Sequence, residues 1–237
     1  MKGWDWSSFL EYLASPYLLE GVWVTIWLTA ASLLIGVVCG LISALLRMSK
    51  SPVLQMPARL YTWVWRGTPL LVQLIILYTG LPQIGIKLSV VQCSLIGLGV
   101  NEGAYLSEII RAGIMSVDRG QFNAARALGM NYRVMMQRII LPQAARIIVP
   151  DLGNRFNGLL KFSSLASVIS LEELMRRAQM LTQVKFAVLE IFIVTSIYYL
   201  VLTTIWGVAQ AHIEEYFERG YSQKSSGRAK TLAAQTG

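Results

Sequence analysis

The stretch Gly21-Val22-Trp23-Val24-Thr25-Ile26-Trp27-Leu28-Thr29-Ala30-Ala31-Ser32-Leu33-Leu34-Ile35-Gly36-Val37-Val38-Cys39-Gly40-Leu41-Ile42-Ser43-Ala44-Leu45-Leu46 decides the class of this protein. It holds no charged residue, and it exceeds the roughly 20 apolar residues a helix needs to cross a hydrocarbon core of about 30 Å. The whole chain is 54% hydrophobic and 14% charged, whereas a soluble domain carries about 25% charge. A bilayer is the solvent that composition fits. Asp5, Glu11 and Glu20 precede the run. A cleaved signal peptide has a basic start and a shorter apolar core of roughly 7–15 residues, so the run is expected to be a retained helix.

Outward from it lie four further apolar runs, at 61–81, 90–117, 144–168 and 186–211, each interrupted by polar or ionisable residues. The expected fold is therefore all-α and integral to the membrane, with about five transmembrane helices. One membrane domain is expected over 1–221. The Ser- and Lys-bearing segment 222–237 reads as a disordered tail.

The net charge of +8 is explained by where the charges sit. One set of alternating loops holds Arg47, Lys50 and Arg59, then Arg111, Arg119, Arg126, Arg133, Arg138 and Arg146, then Arg219, Lys224, Arg228 and Lys230. The opposite set holds Lys2, Lys87, Arg176, Arg177 and Lys185. The richer side is cytoplasmic by the positive-inside rule, which puts the N-terminus outside and the C-terminus inside. No nucleic-acid partner is needed to explain the basic balance. Cys39 and Cys93 lie in apolar runs and read as buried thiols, and the single histidine, His212, has no metal-binding companion. No phosphate-binding loop of the Gly-x4-Gly-Lys-Ser/Thr kind occurs, and no Ser/His/Asp or Cys/His set. The chain is not expected to be an enzyme, or to bind a cofactor or metal.

The long basic segment between the third and fourth runs carries a pattern of its own. Gln121-Phe122-Asn123-Ala124-Ala125-Arg126-Ala127-Leu128-Gly129 is followed by Ile139-Ile140-Leu141-Pro142. Ala, Leu, Arg and Gln favour helix, and Gly129 suits the left-handed residue that ends one. Ala124, Ala125 and Leu128 fall at one-turn spacing, a narrow face of small residues with one knob, flanked by Arg126 and Arg133. Such a helix either meets another protein closely or lies on lipid headgroups.

This segment resembles the EAA loop of ABC importer permeases, with Asn123 where the motif has glutamate. The stretches Arg66-Gly67-Thr68-Pro69-Leu70-Leu71-Val72-Gln73, Ala104-Tyr105-Leu106-Ser107-Glu108-Ile109-Ile110-Arg111-Ala112-Gly113-Ile114, Leu141-Pro142-Gln143-Ala144 and Leu152-Gly153-Asn154 are similar to the polar amino acid branch of that family. The resemblance implies a permease subunit in the bacterial inner membrane whose coupling helix, at Gln121, Asn123, Ala124, Ala125, Arg126, Leu128 and Gly129, docks on a cytoplasmic ATPase dimer. ATP and Mg would be used by that partner, not by this chain. It also implies a second permease subunit, identical or homologous, and an extracytoplasmic substrate-binding protein. A secondary transporter or a channel would share the hydropathy profile.

Ionisable residues inside the apolar runs cost about 2.5–3.5 kcal/mol each on insertion scales. A polar stripe in the fourth run, Asn154, Asn157, Gly158, Lys161 and Ser164, suits a water-filled path. For a zwitterionic amino acid, Arg155 or Lys161 offers a cation for the carboxylate, and Glu102, Asn154 or Asn157 an acceptor for the ammonium. Structural readings compete: Asp151 pairing with Arg155 along the helix, Arg66 snorkelling to the interface, Glu108 paired with Arg111, and Glu190 tying helices together. Trp4, Trp6, Tyr61, Trp63, Trp65 and Trp206 are expected to be interfacial anchors.

Overall fold

The structure, a computed structural model, describes residues 4–235, with side chains through residue 217. Among the described residues every element is helical. A short amphipathic helix α1 (Trp6–Leu13) is capped by Asp5, whose carboxylate accepts bonds from Ser7 and Ser8. Then come α2 (Pro16–Met48), α3 (Pro52–Gly67) and α4 (Leu70–Ile75), the last running on through a π turn, Ile76–Gly80, and a 3-10 turn, Leu81–Ile84. Proline opens both α2 and α3, where its missing N–H would be unpaired in any case. A Ser89/Gln92 capping box starts α5 (Val90–Met115). Two short helices follow, α6 (Arg119–Ala127) and α7 (Tyr132–Met135), before α8 (Leu141–Phe162), α9 (Leu174–Lys185) and α10 (Val188–Gln235). The segment expected as a disordered tail is carried by the end of α10 as far as Gln235, and its side chains lie outside the described residues.

Two of these helices are long and apolar enough by composition to cross a membrane, Pro16–Met48 and Val188–Phe217. At 1.5 Å per residue α2 is about 50 Å long, more than the hydrocarbon core requires. The run expected as one span at 61–81 is instead a bent pair: Pro52–Gly67 and Leu70–Ile84 meet at 104°. The Gly67-Thr68-Pro69 sequence causes the break, since Pro69 denies the helix its N–H and pushes Thr68 into extended backbone. Carbonyls released there would be orphans in a low-dielectric surround. Buried Asn101 and Gln73 meet them: Asn101 donates to the Trp65 carbonyl at 2.8 Å, and Gln73 to the Trp65 and Thr68 carbonyls at 3.0 and 3.2 Å.

The spine of the fold is α2 against α5. Gly36 and Gly40 of α2 face Glu102, Gly103 and Leu106 of α5, while Gly99 and Gly103 face Ile35 and Cys39. Residue numbers rise together on the two helices, so they run parallel. Between lipid-like surfaces there is no hydrophobic drive to pair, and small residues that let backbones approach supply dispersion contact instead. Ser107 donates to Ser43 at 2.9 Å inside this contact. On its other sides α8 packs on α5 through Gly113 and on α10 through Gly153, whose missing Cβ leaves room for Gln210. Trp206 donates to the Gly153 carbonyl at 2.8 Å and stacks on Phe156. Tyr61 likewise donates inward, to Val100. Both of these aromatics are partly buried and bonded to backbone, whereas Trp6 and Trp63 are exposed.

A Cβ at Gly103 would lie 2.6 Å from Cys39 Cβ and 3.1 Å from the Gly36 carbonyl. Gly103→Val should therefore cost about 1–3 kcal/mol or more through overpacking, seen as a lower melting temperature of the detergent-purified protein. Gly207 has open space around it, so Gly207→Ala should leave the melting temperature level or raise it.

Candidate functional site

The segment after α5 folds as two short helices packed on the bundle. Asp118 caps α6 through the Gly120 N–H at 2.7 Å. The helix ends in a Schellman motif: Gly129 N–H donates to the Arg126 carbonyl, Met130 N–H to the Ala125 carbonyl, and Gly129 sits at φ +69°. That is the left-handed glycine expected from the sequence. The shared face is not as expected. Ala125 is fully buried in a core with Ile114, Val117, Met135, Met136, Ile140 and Ala144. It faces the protein's own bundle and is no part of an outward surface. The outward face consists of Gln121, Ala124 and Leu128, the last 79% exposed, with Asn123, Arg126 and Arg133 also exposed around it. By helical spacing 121, 124, 125 and 128 lie close together, so it is the packing of the bundle, not periodicity, that buries Ala125 while its neighbours stay exposed. The same core joins α6 to the end of α5 and the start of α8.

Inside the bundle, Glu102 of α5 and Arg155 of α8 form a bidentate pair, Nε to Oε1 and Nη2 to Oε2, both at 2.6 Å. Glu102 is 1% exposed. Its stem lies where α2 offers no side chain: a Cβ at Gly36 would stand 3.1 Å from both Cβ and Cγ of Glu102. The Arg155 guanidinium also lies over the Tyr105 ring, 4.3 Å from its centroid. This satisfies a buried carboxylate by two charge-assisted bonds and a π face. Arg155 does not pair with Asp151 along its own helix. The two residues expected to hold opposite ends of a substrate thus hold each other.

The other residues of the expected pathway diverge. Asn154 is exposed and accepts from Gln210 of α10 at 3.1 Å. Asn157 is half-buried, and Lys161 is exposed at the end of α8. With Asp151 they leave one side of α8 polar and open in the single chain. In a bilayer such a side must face water or another subunit.

A second cluster lies two turns along α5. Glu108 accepts from Arg47 at 2.7 Å, from Arg66 at 3.2 Å and from Arg111 at 3.2 Å. Arg66 also lies over Tyr105, 5.3 Å from the ring centroid, so it is held by protein and does not snorkel free. Glu190 ties helices together as expected, accepting the Asp5 N–H at 3.2 Å. Sequence reasoning missed Glu173. It is fully buried, caps α9 through the Met175 and Arg176 N–H groups and accepts from Tyr199 at 3.0 Å. Burial pushes its carboxyl above the ordinary range. An acid one residue before the α9 run, at the N-cap position, was the available signal.

Comparison with known proteins agrees with this architecture. Residues 36–218 match the family described as binding-protein-dependent transport system inner membrane component. The chain is 38% identical over 247 residues to the arginine transport system permease protein ArgU of Corynebacterium glutamicum, covering 98% of this chain and 78% of that one. It is 41% identical to the probable amino-acid ABC transporter permease protein YckA of Bacillus subtilis, covering 85% and 89%. Among solved structures, a chain of an amino acid ABC transporter crystallised with histidines is similar with a TM-score of 0.85 and 38% identity, covering 91% of this chain and all of that one. The MetNI methionine ABC transporter, at 17% identity and a TM-score of 0.73, shares the fold. The chain belongs to the family of inner membrane components of binding-protein-dependent transport systems.

Proposed function

We propose that this chain is the membrane-spanning permease subunit of an ATP-driven importer for polar amino acids or their derivatives, working by alternating access. About five spans cross the bacterial inner membrane, with the N-terminus outside and the C-terminus in the cytoplasm. A cytoplasmic ATPase dimer hydrolyses ATP with bound Mg. A second permease subunit, identical or homologous, completes the pathway, and an extracytoplasmic binding protein delivers substrate.

The observation that carries this reading is the packing of α6. Ala125 is packed into the core shared with α5 and α8, while Gln121, Ala124 and Leu128 next to it on the helix surface stay exposed. A push on the exposed residues cannot be absorbed by α6 alone, because close-packed interiors move as blocks. It displaces the cytoplasmic ends of α5 and α8, the helices that carry Glu102 and Arg155. Relative motion of those two helices would open or close that pair, exposing a carboxylate and a guanidinium to a zwitterion. The relatives named for arginine transport and for amino-acid ABC transport support the substrate class. The polar side of α8, with Asn154, Asn157 and Lys161, supports a water-lined path against the second subunit.

Uptake into proteoliposomes by the chain co-expressed with its ATPase tests the reading. Leu128→Asp should weaken docking by about 2 kcal/mol or more, roughly thirtyfold, abolishing ATP-dependent uptake while the protein still folds and inserts. Ala124→Asp should act alike. Ala125→Asp buries an unpaired carboxylate at a cost of about 3–5 kcal/mol and should instead reduce the yield of folded protein. Uptake that survives Leu128→Asp, or runs without the ATPase, points to a secondary transporter or channel.

The ion pair gives a separate test. Glu102→Gln alone strands Arg155 and should lower thermal stability by about 3–5 kcal/mol. Glu102→Gln with Arg155→Gln should recover most of that stability. Uptake lost in the stable double variant assigns the pair to the pathway, and uptake retained assigns it to the fold.

A further inference from the structure

At the end of the bundle that holds α2's last turn, a cavity of about 410 Å³ opens between α2, α3 and α5. Arg47, Arg59, Arg66, Trp63, Tyr105 and Glu108 line it. Arg47 and Arg66 both donate to one oxygen of Glu108, and Arg111 donates to the other. Arg59 donates to Gln55 on its own helix. Three guanidinium groups thus meet this carboxylate, and Arg47, Arg59 and Arg66 share the cavity wall with Glu108 alone, an excess of two positive charges there. Like charges so placed repel unless an anion joins them, and a guanidinium fork is shaped for the oxygens of a phosphate.

The outer side of α3 shows what could bring that anion. Val53, Met56, Leu60 and Trp63 recur at helical spacing and are 78%, 75%, 58% and 73% exposed. Arg59 and Arg66 lie beside this apolar stripe, and Trp63 belongs to both the stripe and the cavity wall. An apolar stripe flanked by arginine with a tryptophan between is suited to acyl chains on one side and a headgroup on the other.

We propose that this cavity binds the phosphate of an anionic phospholipid, whose acyl chains lie along Val53, Met56 and Leu60 of α3. With the orientation proposed above, the lipid comes from the cytoplasmic leaflet, where basic pockets between helices meet anionic headgroups. It neutralises the cluster around Glu108 and so steadies the junction of α2, α3 and α5.

The test is a binding measurement, independent of transport and of sidedness. The full chain, purified with the subunits that accompany it, is placed in nanodiscs of phosphatidylcholine doped with phosphatidylglycerol and moved to detergent. Native mass spectrometry then counts retained lipid. Wild type should keep phosphatidylglycerol in preference to phosphatidylcholine, and Arg59→Gln with Arg66→Gln should reduce that retention by roughly tenfold. Arg59→Gln alone, which gives up only the bond to Gln55, should show a smaller loss and cover the case in which the double variant folds poorly. Arg59→Lys should keep most of the retention. Equal retention by wild type and Arg59→Gln overturns the proposal. So does replacement of the lipid by added inorganic phosphate, which would make the cavity a free-anion site. A disulfide between two Trp63→Cys copies also overturns it, since the cavity would then face a second subunit.

Discussion

The backbone contact of α2 with α5 sets the position of everything else. Two parallel helices can approach this closely only where side chains are absent, and Gly36, Gly40, Gly99 and Gly103 provide that absence. Once α5 is held against α2 on its glycine side, its remaining sides point inward to other elements. Asn101 meets the broken backbone between α3 and α4, Glu102 meets Arg155 of α8, and Glu108 meets three arginines. A helix that looks too polar for a lipid-facing span is accounted for by its place at the centre.

The same logic governs the polar groups. In a medium without water each buried donor, acceptor or charge needs a partner from the protein. The gap at Gly67-Thr68-Pro69 exists because Asn101 and Gln73 can satisfy it. The Glu102–Arg155 pair exists because two helices from distant parts of the chain meet with matching charges. Tyr105 touches both clusters, with Arg155 and Arg66 at 4.3 and 5.3 Å from its ring centroid. The pair and the arginine cluster are thereby parts of one polar seam along α5, ending near α6.

Packing on an apolar core beyond that seam explains why buried and exposed positions of α6 differ in chemistry. Its buried Ala125 packs with Phe122 against the core of Ile114, Met135 and Ile140, and its end carries a large exposed leucine, Leu128. Small residues that read alike along the chain carry opposite duties a single position apart.

The sequence by itself determined the solvent, the helical class and the location of the special segments. Those follow from composition and spacing along one chain: an uncharged run from Gly21 to Leu46, arginines gathered on alternating loops, and a glycine placed to end α6. It also marked Glu102, Arg155, Glu108 and Glu190 as charges that needed partners. Which partners they take was decided only by tertiary structure, because Glu102 and Arg155 are 53 positions apart and a local pairing of Asp151 with Arg155 fits the one-dimensional pattern equally well. The pairing of the backbone freed at Gly67–Pro69 with Asn101, the inward turn of Ala125 and the burial of Glu173 share that origin. Each depends on what a neighbouring helix presents across a contact, and periodicity along one helix carries no record of its neighbour.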